Sequence, residues 1–129
     1  MAVNPAGTRA YVPNAISNTL SVIDTSTNAV VATVAVGSSP SGVAVNPTGT
    51  RVYVTNAFDN NVSVIDTSAN TVETTILVGG SPHGVALNPA GTRVYVTNKF
   101  STVSVIDTAT NTVVATVPVG LSSIGIAVR

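Results

Sequence analysis

One segment recurs three times at a fixed spacing. It runs from Asn4 to Asn14, from Asn46 to Asn56 and from Asn88 to Asn98, each copy 42 residues after the last. A period in that range, in a chain rich in Val and Thr, marks stacked four-stranded blades. One such unit cannot bury its own faces, so the copies must pack on each other.

The punctuation inside one repeat sets the strands. Gly42-Val43-Ala44-Val45 ends at Asn46-Pro47-Thr48-Gly49, where Pro presets φ and Gly accepts a left-handed conformation. Arg51 to Thr55 follows as a branched and aromatic strand, then polar residues around Phe58, then Val62-Ser63-Val64-Ile65. Asp66-Thr67-Ser68-Ala69-Asn70 reads as a turn in which the carboxylate accepts backbone N–H groups, before a last strand from Val72 to Val78. The unit is an antiparallel meander, with blades expected at about 9–37, 42–79 and 84–120. Val52-Tyr53-Val54 and Val64-Ile65 put apolar groups on both faces. A sheet apolar on both sides must be covered on both, which favours a propeller over a one-sided sheet. Helical repeats are excluded by the density of Gly, Pro, Thr and Val. Pro118, near the end of the last strand, fits a blade edge because proline donates nothing to a ladder.

Composition narrows the partners. Charged residues make up 8% of the 129, five basic against five acidic, which leaves no electrostatic footprint for nucleic acid or an anionic membrane surface. At 44% hydrophobic residues the chain has ample material for a core. No apolar stretch approaches the roughly 20 residues of a membrane span, so membrane insertion is not expected. Cysteine is absent, which removes disulfides and thiolate metal sites. No export signal follows Met1 in the sequence as given.

Tyr53-Val54-Thr55-Asn56, Tyr95-Val96-Thr97-Asn98, the Val-Ile-Asp-Thr runs at 22–25, 64–67 and 105–108, and the Val-Gly pairs at 36–37, 78–79 and 119–120 resemble the YVTN family of β-propeller repeats. The resemblance covers essentially the whole chain. Its departures are Pro13 in place of Thr, Ala10 in place of Val, and Ser123-Ile124 where Pro40-Ser41 and Pro82-His83 stand. It implies an all-β fold of three four-stranded antiparallel blades with the Gly-Val-Ala-Val strand innermost. It also implies an extracellular, cell-surface or periplasmic setting of surface-layer type, with a protein or glycan partner. Family membership conveys no single activity.

Three blades do not close a ring, since propellers run from about four to eight. An open arc leaves two apolar faces bare, each presenting on the order of 300 Å² for strands about 4.8 Å apart and roughly 17 Å long. Joining two arcs covers about 1,200 Å², which at roughly 25 cal/mol per Å² is of order 30 kcal/mol before costs. Association costs are about 4–15 kcal/mol. A homodimer closing a six-bladed ring is therefore expected. The sequence opens at Ala2-Val3, the tail of an inner strand, and closes with most of another, Ser123 to Val128. Residues 121–128 are expected to complete blade one of the partner, with Ile124, Ile126 and Val128 as its assembly strand, outcompeting Ala2-Val3.

The candidate chemistry is sparse. His83, the one histidine, begins an inner strand at the channel mouth, with Ser41 and Ile124 at the equivalent positions. Those three mark the place of a small-molecule, metal-binding or lyase-like site, but a lone histidine lacks the cluster that a metal or catalytic centre needs. Asp24, Asp66 and Asp107 repeat in register, as turn-capping carboxylates do and a single asymmetric active site does not. Arg9, Arg51 and Arg93 also repeat, and are expected on the surface or paired with a neighbouring blade. Tyr11, Tyr53 and Tyr95 read as packing groups, which leaves Phe58 and Phe100 as loop aromatics. Asn61-Val62-Ser63 matches a glycosylation sequon. No nucleophile elbow, phosphate loop or dinucleotide fingerprint occurs, so no cofactor and no catalytic residue are assigned. The favoured reading is a non-enzymatic structural or interaction scaffold.

Overall fold

A computed structural model of the chain describes residues 1–120 and 125–128. Twelve strands form three four-stranded antiparallel sheets in strict sequence order. Blade one holds β1 (Ala2–Val3), β2 (Arg9–Asn14), β3 (Thr19–Asp24) and β4 (Ala29–Ala35). Blade two holds β5 (Pro40–Val45), β6 (Arg51–Asn56), β7 (Asn61–Asp66) and β8 (Thr71–Leu77). Blade three holds β9 (Pro82–Leu87), β10 (Arg93–Asn98), β11 (Thr102–Asp107) and β12 (Thr112–Pro118). The edge position of β12 accommodates Pro118.

Local chemistry closes each turn. Gly7, Gly49 and Gly91 all sit at φ 72°, the conformation that the Asn-Pro-x-Gly turn demands of its last residue. The Asn46 side-chain oxygen accepts the Arg51 N–H at 3.0 Å, and Asn4 and Asn88 repeat the contact with Arg9 and Arg93. Asn28, Asn70 and Asn111 take left-handed φ values of 57°, 53° and 53° in the turns before the outer strands, where Asn is the least strained residue after Gly.

The blades pack face to face. Tyr11, Leu20, Val22 and Val34 of blade one meet Val52, Val54 and Ile65 of blade two in one buried cluster. Tyr53, Val62, Val64 and Ile76 then repeat the first set against Val94, Val96 and Ile106 of blade three. Each blade thus carries one left and one right packing face, and each junction joins unlike faces. At the axis the inner strands approach so closely that a Cβ at Gly42 would overlap the His83 carbonyl oxygen.

The structure departs from the sequence reading at three places. The inner strands begin at Pro40 and Pro82 rather than Gly42 and Gly84, because each Pro pairs with the buried Asn closing the next strand, Asn56 or Asn98. Each outer strand carries a bulge, opposite Val22/Ile23, Val64/Ile65 and Val105/Ile106, which leaves Val31, Glu73 and Val114 outside the one-to-one pairing. The arginines pair within their own blade, not across to a neighbour, because β2–β3 register sets Arg9 opposite Asp24. Within the single chain, a two-residue inner strand edges blade one. Ala2 pairs with Tyr11 and Val3 with Ala10, in the slot that the sequence assigned to residues 121–128 of a second copy. Of that segment, residues 121–124, Ile124 included, lie outside the described residues.

Candidate functional site

The first residues of the inner strands meet at one end of the arc's inner edge, and their polar groups are tied to each other. Thr55 Oγ1 donates to the His83 carbonyl at 2.7 Å and accepts the Gly42 N–H at 2.8 Å. Ser41 Oγ lies 3.2 Å from Thr55 Oγ1 and 3.3 Å from the Pro82 carbonyl oxygen. His83 is half-buried, with Nδ1 2.9 Å from the Ser81 carbonyl, which can only accept. Its remaining ring nitrogen has no acidic, cysteine or second histidine companion that would make a metal-binding group among the described residues. Ser41 and His83 therefore share one end of the inner strands, where blade two is stitched to blade three.

The repeated aspartates hold turns. Asp24 Oδ1 accepts the Ser26 N–H at 2.8 Å and the Ser26 hydroxyl at 2.6 Å, and Asp66 does the same with Ser68 at 2.9 and 2.7 Å. Asp107 accepts the Ala109 N–H at 2.9 Å. The serine hydrogen bonds hold the Asp24 and Asp66 carboxyls below the ordinary carboxylate value, with Arg9 and Arg51 adding to the effect. Arg51 also meets the bulged Glu73. These ion pairs are solvent-facing and of small energetic weight. Burial raises the hydroxyl pKa of Tyr11 and Tyr53, so both phenols stay neutral packing groups.

An asparagine closes the hairpin at this end of each blade, buried in blades two and three and half-buried in blade one. Asn56 Nδ2 donates to Asn61 Oδ1 and to Ser63 Oγ, both at 2.8 Å, while Asn14 reaches Thr19 and Ser21, and Asn98 reaches Thr102 and Ser104. Of the Asn61-Val62-Ser63 sequon, Ser63 is fully buried and Asn61 half-buried, and both side chains are engaged in this network.

At the same end, Ile16, Phe58 and Phe100 stand one blade apart at the hairpin tips, all strongly exposed. Ala15, Ile16, Asn18, Ser38, Ser39 and Phe58 line a groove of about 420 Å³ between the first two tips. Sequence reasoning singled out the two phenylalanines and missed Ile16, which holds the same place in the first repeat. The 42-residue spacing was the signal for it.

The two end faces leave apolar residues exposed that are covered at the internal junctions. Val117 is 45% exposed, whereas Val34 and Ile76, which hold its position at the two internal junctions, are 6% and 5% exposed. Tyr95 is half-buried where Tyr11 and Tyr53 are fully buried. On the other face Val3 and Val30 are 50% and 59% exposed, while their counterparts Val45 and Val72 pack against the first cluster. Blade three ends on a left face and blade one on a right face, so the arc carries the two halves of a junction that it already makes twice.

Sheet order, the face-to-face blades and the axial approach of the inner strands define a β-propeller arc. The chain belongs to the YNCE-like beta-propeller family, whose model matches residues 2–93. It is similar to a solved structure of Kuenenia stuttgartiensis hydrazine synthase, with 28% identity and a TM-score of 0.93 over 95% of this chain and 36% of that one. A functionally unknown protein from Desulfotomaculum acetoxidans shares the fold, with 21% identity and a TM-score of 0.80 over 94% of this chain and 42% of that one. The chain thus spans well under half the length of these structures. No curated protein matches it.

Proposed function

We propose that the chain is a non-enzymatic scaffold whose two end faces pair with those of a second copy, closing a six-bladed ring. The observation that carries this reading is the contrast between equivalent positions: Val117 is 45% exposed and Ile76 is 5% exposed. Two open arcs related by a twofold axis set the blade-three face of each against the blade-one face of the other, and both junctions reuse packing that the chain makes internally. Water is then excluded from all four end faces, and the apolar area gained outweighs the loss of free tumbling. In the same proposal the rim of Ile16, Phe58 and Phe100 faces a protein or glycan partner in a cell-surface or periplasmic setting. Val117→Lys tests the pairing, because one substitution places an unpaired ammonium in both junctions. Sedimentation over a range of concentrations should show the parent as a dimer and the variant as a folded monomer with an unchanged circular dichroism spectrum. A variant that sediments as the parent does would falsify the end-face pairing.

A further inference from the structure

We propose that the ring is also strapped by strand exchange: residues 125–128 of each copy form the inner strand of blade one in the other, displacing Ala2–Val3. This rests on the pairing of end faces proposed above and assigns its backbone contacts. The inner edge of β6 is paired in four rows, Pro40 with Asn56, Val43 with Val54, Ala44 with Tyr53 and Val45 with Val52. β10 repeats all four with Pro82, Val85, Ala86 and Leu87. On β2 only two rows are filled, by Ala2 and Val3, so among the described residues the inner edge of β2 is unpaired at Val12 and Asn14.

The segment that fits that edge stands at the other end of the arc. Gly125-Ile126-Ala127-Val128 repeats Gly42-Val43-Ala44-Val45 with one change, Ile for Val. It belongs to no strand within this chain. A segment with an inner-strand sequence that belongs to no strand adds readily to an open sheet edge, where main-chain hydrogen bonds supply affinity and alternate side chains supply register.

The repeat fixes the register. Ile126 falls opposite Val12, Ala127 opposite Tyr11 and Val128 opposite Ala10, the rows that Val43, Ala44 and Val45 occupy on β6. In blade two, Val43 and Val45 pack back onto the cluster around Tyr11 and Leu20 of the preceding blade. Ile126 and Val128 accordingly pack onto the Tyr95 face of their own blade three while their backbone pairs with β2 of the second copy. The strand is thus carried on one arc and hydrogen-bonded to the next. A second copy is the occupant because blade two stands between blades one and three, the inner strands making contact in the order β1, β5, β9. The invading strand fills three rows where Ala2–Val3 fills two. The displaced dipeptide leaves the first turn intact, since Asn4 still caps Thr8 and Arg9.

The absence of cysteine allows a direct test. The double variant Val12→Cys, Ile126→Cys is oxidised and compared with Val12→Cys, Ala127→Cys, which moves the thiol one residue along and so to the opposite face. The expected result is a covalent dimer in the first variant, at least tenfold more than in the second, together with heterodimers when the two single variants, Val12→Cys and Ile126→Cys, are mixed. Equal crosslinking in both registers, or a disulfide confined to one chain, overturns strand exchange. Light scattering on the reduced variants separates the two ideas: a dimer without register-specific crosslinks sinks only the strand exchange, whereas a monomer sinks the ring as well.

Discussion

Gly42 is the residue at which the propeller axis is most sensitive to one added carbon. A Cβ there would overlap the His83 carbonyl oxygen and stand 2.9 Å from Thr55 Oγ1. Neither neighbour is a free side-chain end: one is backbone, and the other is held by hydrogen bonds of 2.7 and 2.8 Å to His83 and Gly42. Relief requires β5 and β9 to separate, which strains the packing by about 1–3 kcal/mol and disrupts two hydrogen bonds worth about 1 kcal/mol each. Alanine returns roughly 0.5–1 kcal/mol by restricting the unfolded chain. Gly42→Ala should therefore lose about 2–4 kcal/mol, a fall of about 1–2 M in urea midpoint for a domain of this size. Urea titration at fixed protein concentration measures it, with Thr27→Ala as the control because Thr27 is exposed and blade two carries Ala69 at the same place. The control should stay within about 0.5 kcal/mol of the parent. If Gly42→Ala does the same, the inner strands do not meet as described.

Three further outcomes follow from the repeated contacts. Asn56→Ala strands Ser63 Oγ and Asn61 Oδ1, removing two 2.8 Å hydrogen bonds from a buried site, and should cost about 2–4 kcal/mol by chemical denaturation. Ser101 holds φ 80° where the other repeats place Asn18 and Asn60. Ser101→Gly should raise the thermal midpoint, through a gain of about 0.5–1 kcal/mol from relieved backbone strain, and a lowered midpoint contradicts that strain. The Asp24 and Asp66 carboxyls are held below their ordinary 3.8. Their ionised forms thus favour the folded chain. That contribution is complete above pH 3.8 and is lost as pH falls through the depressed values. The urea midpoint of the parent should drop across that range more steeply than that of the double variant Asp24→Asn, Asp66→Asn, and parallel curves would refute the assignment.

The fold was legible because its signals are local. Asn46-Pro47-Thr48-Gly49 specifies a turn by its own φ requirements, and the strands between such turns are too short and branched for anything but sheet. Both faces of β6 and β7 being apolar was enough to stack the blades. What escaped the sequence depends on register and packing. The bulge that frees Glu73 toward Arg51 is a property of how β7 pairs with β8, and a Val-Glu-Thr run does not encode it. Arg9 finds Asp24 through cross-strand register, which is visible only once the hairpin is drawn. Ala2–Val3 were read as the tail of an inner strand, and within the single chain they form two rows of ladder with β2. The sequence marked Ser41 and His83 at the polar ends of the inner strands only as a minor alternative to the scaffold reading. Their contacts across blades depend on packing, since backbone approach at Gly42 brings Thr55 within reach of the His83 carbonyl.

The mass of the chain in solution bears most directly on the ring. Multi-angle light scattering on the wild-type protein at micromolar concentration should return about 26 kDa, twice the 12.9 kDa of one chain. A stable species of 12.9 kDa, with Val117 and Val30 left in water, contradicts closure by a second copy.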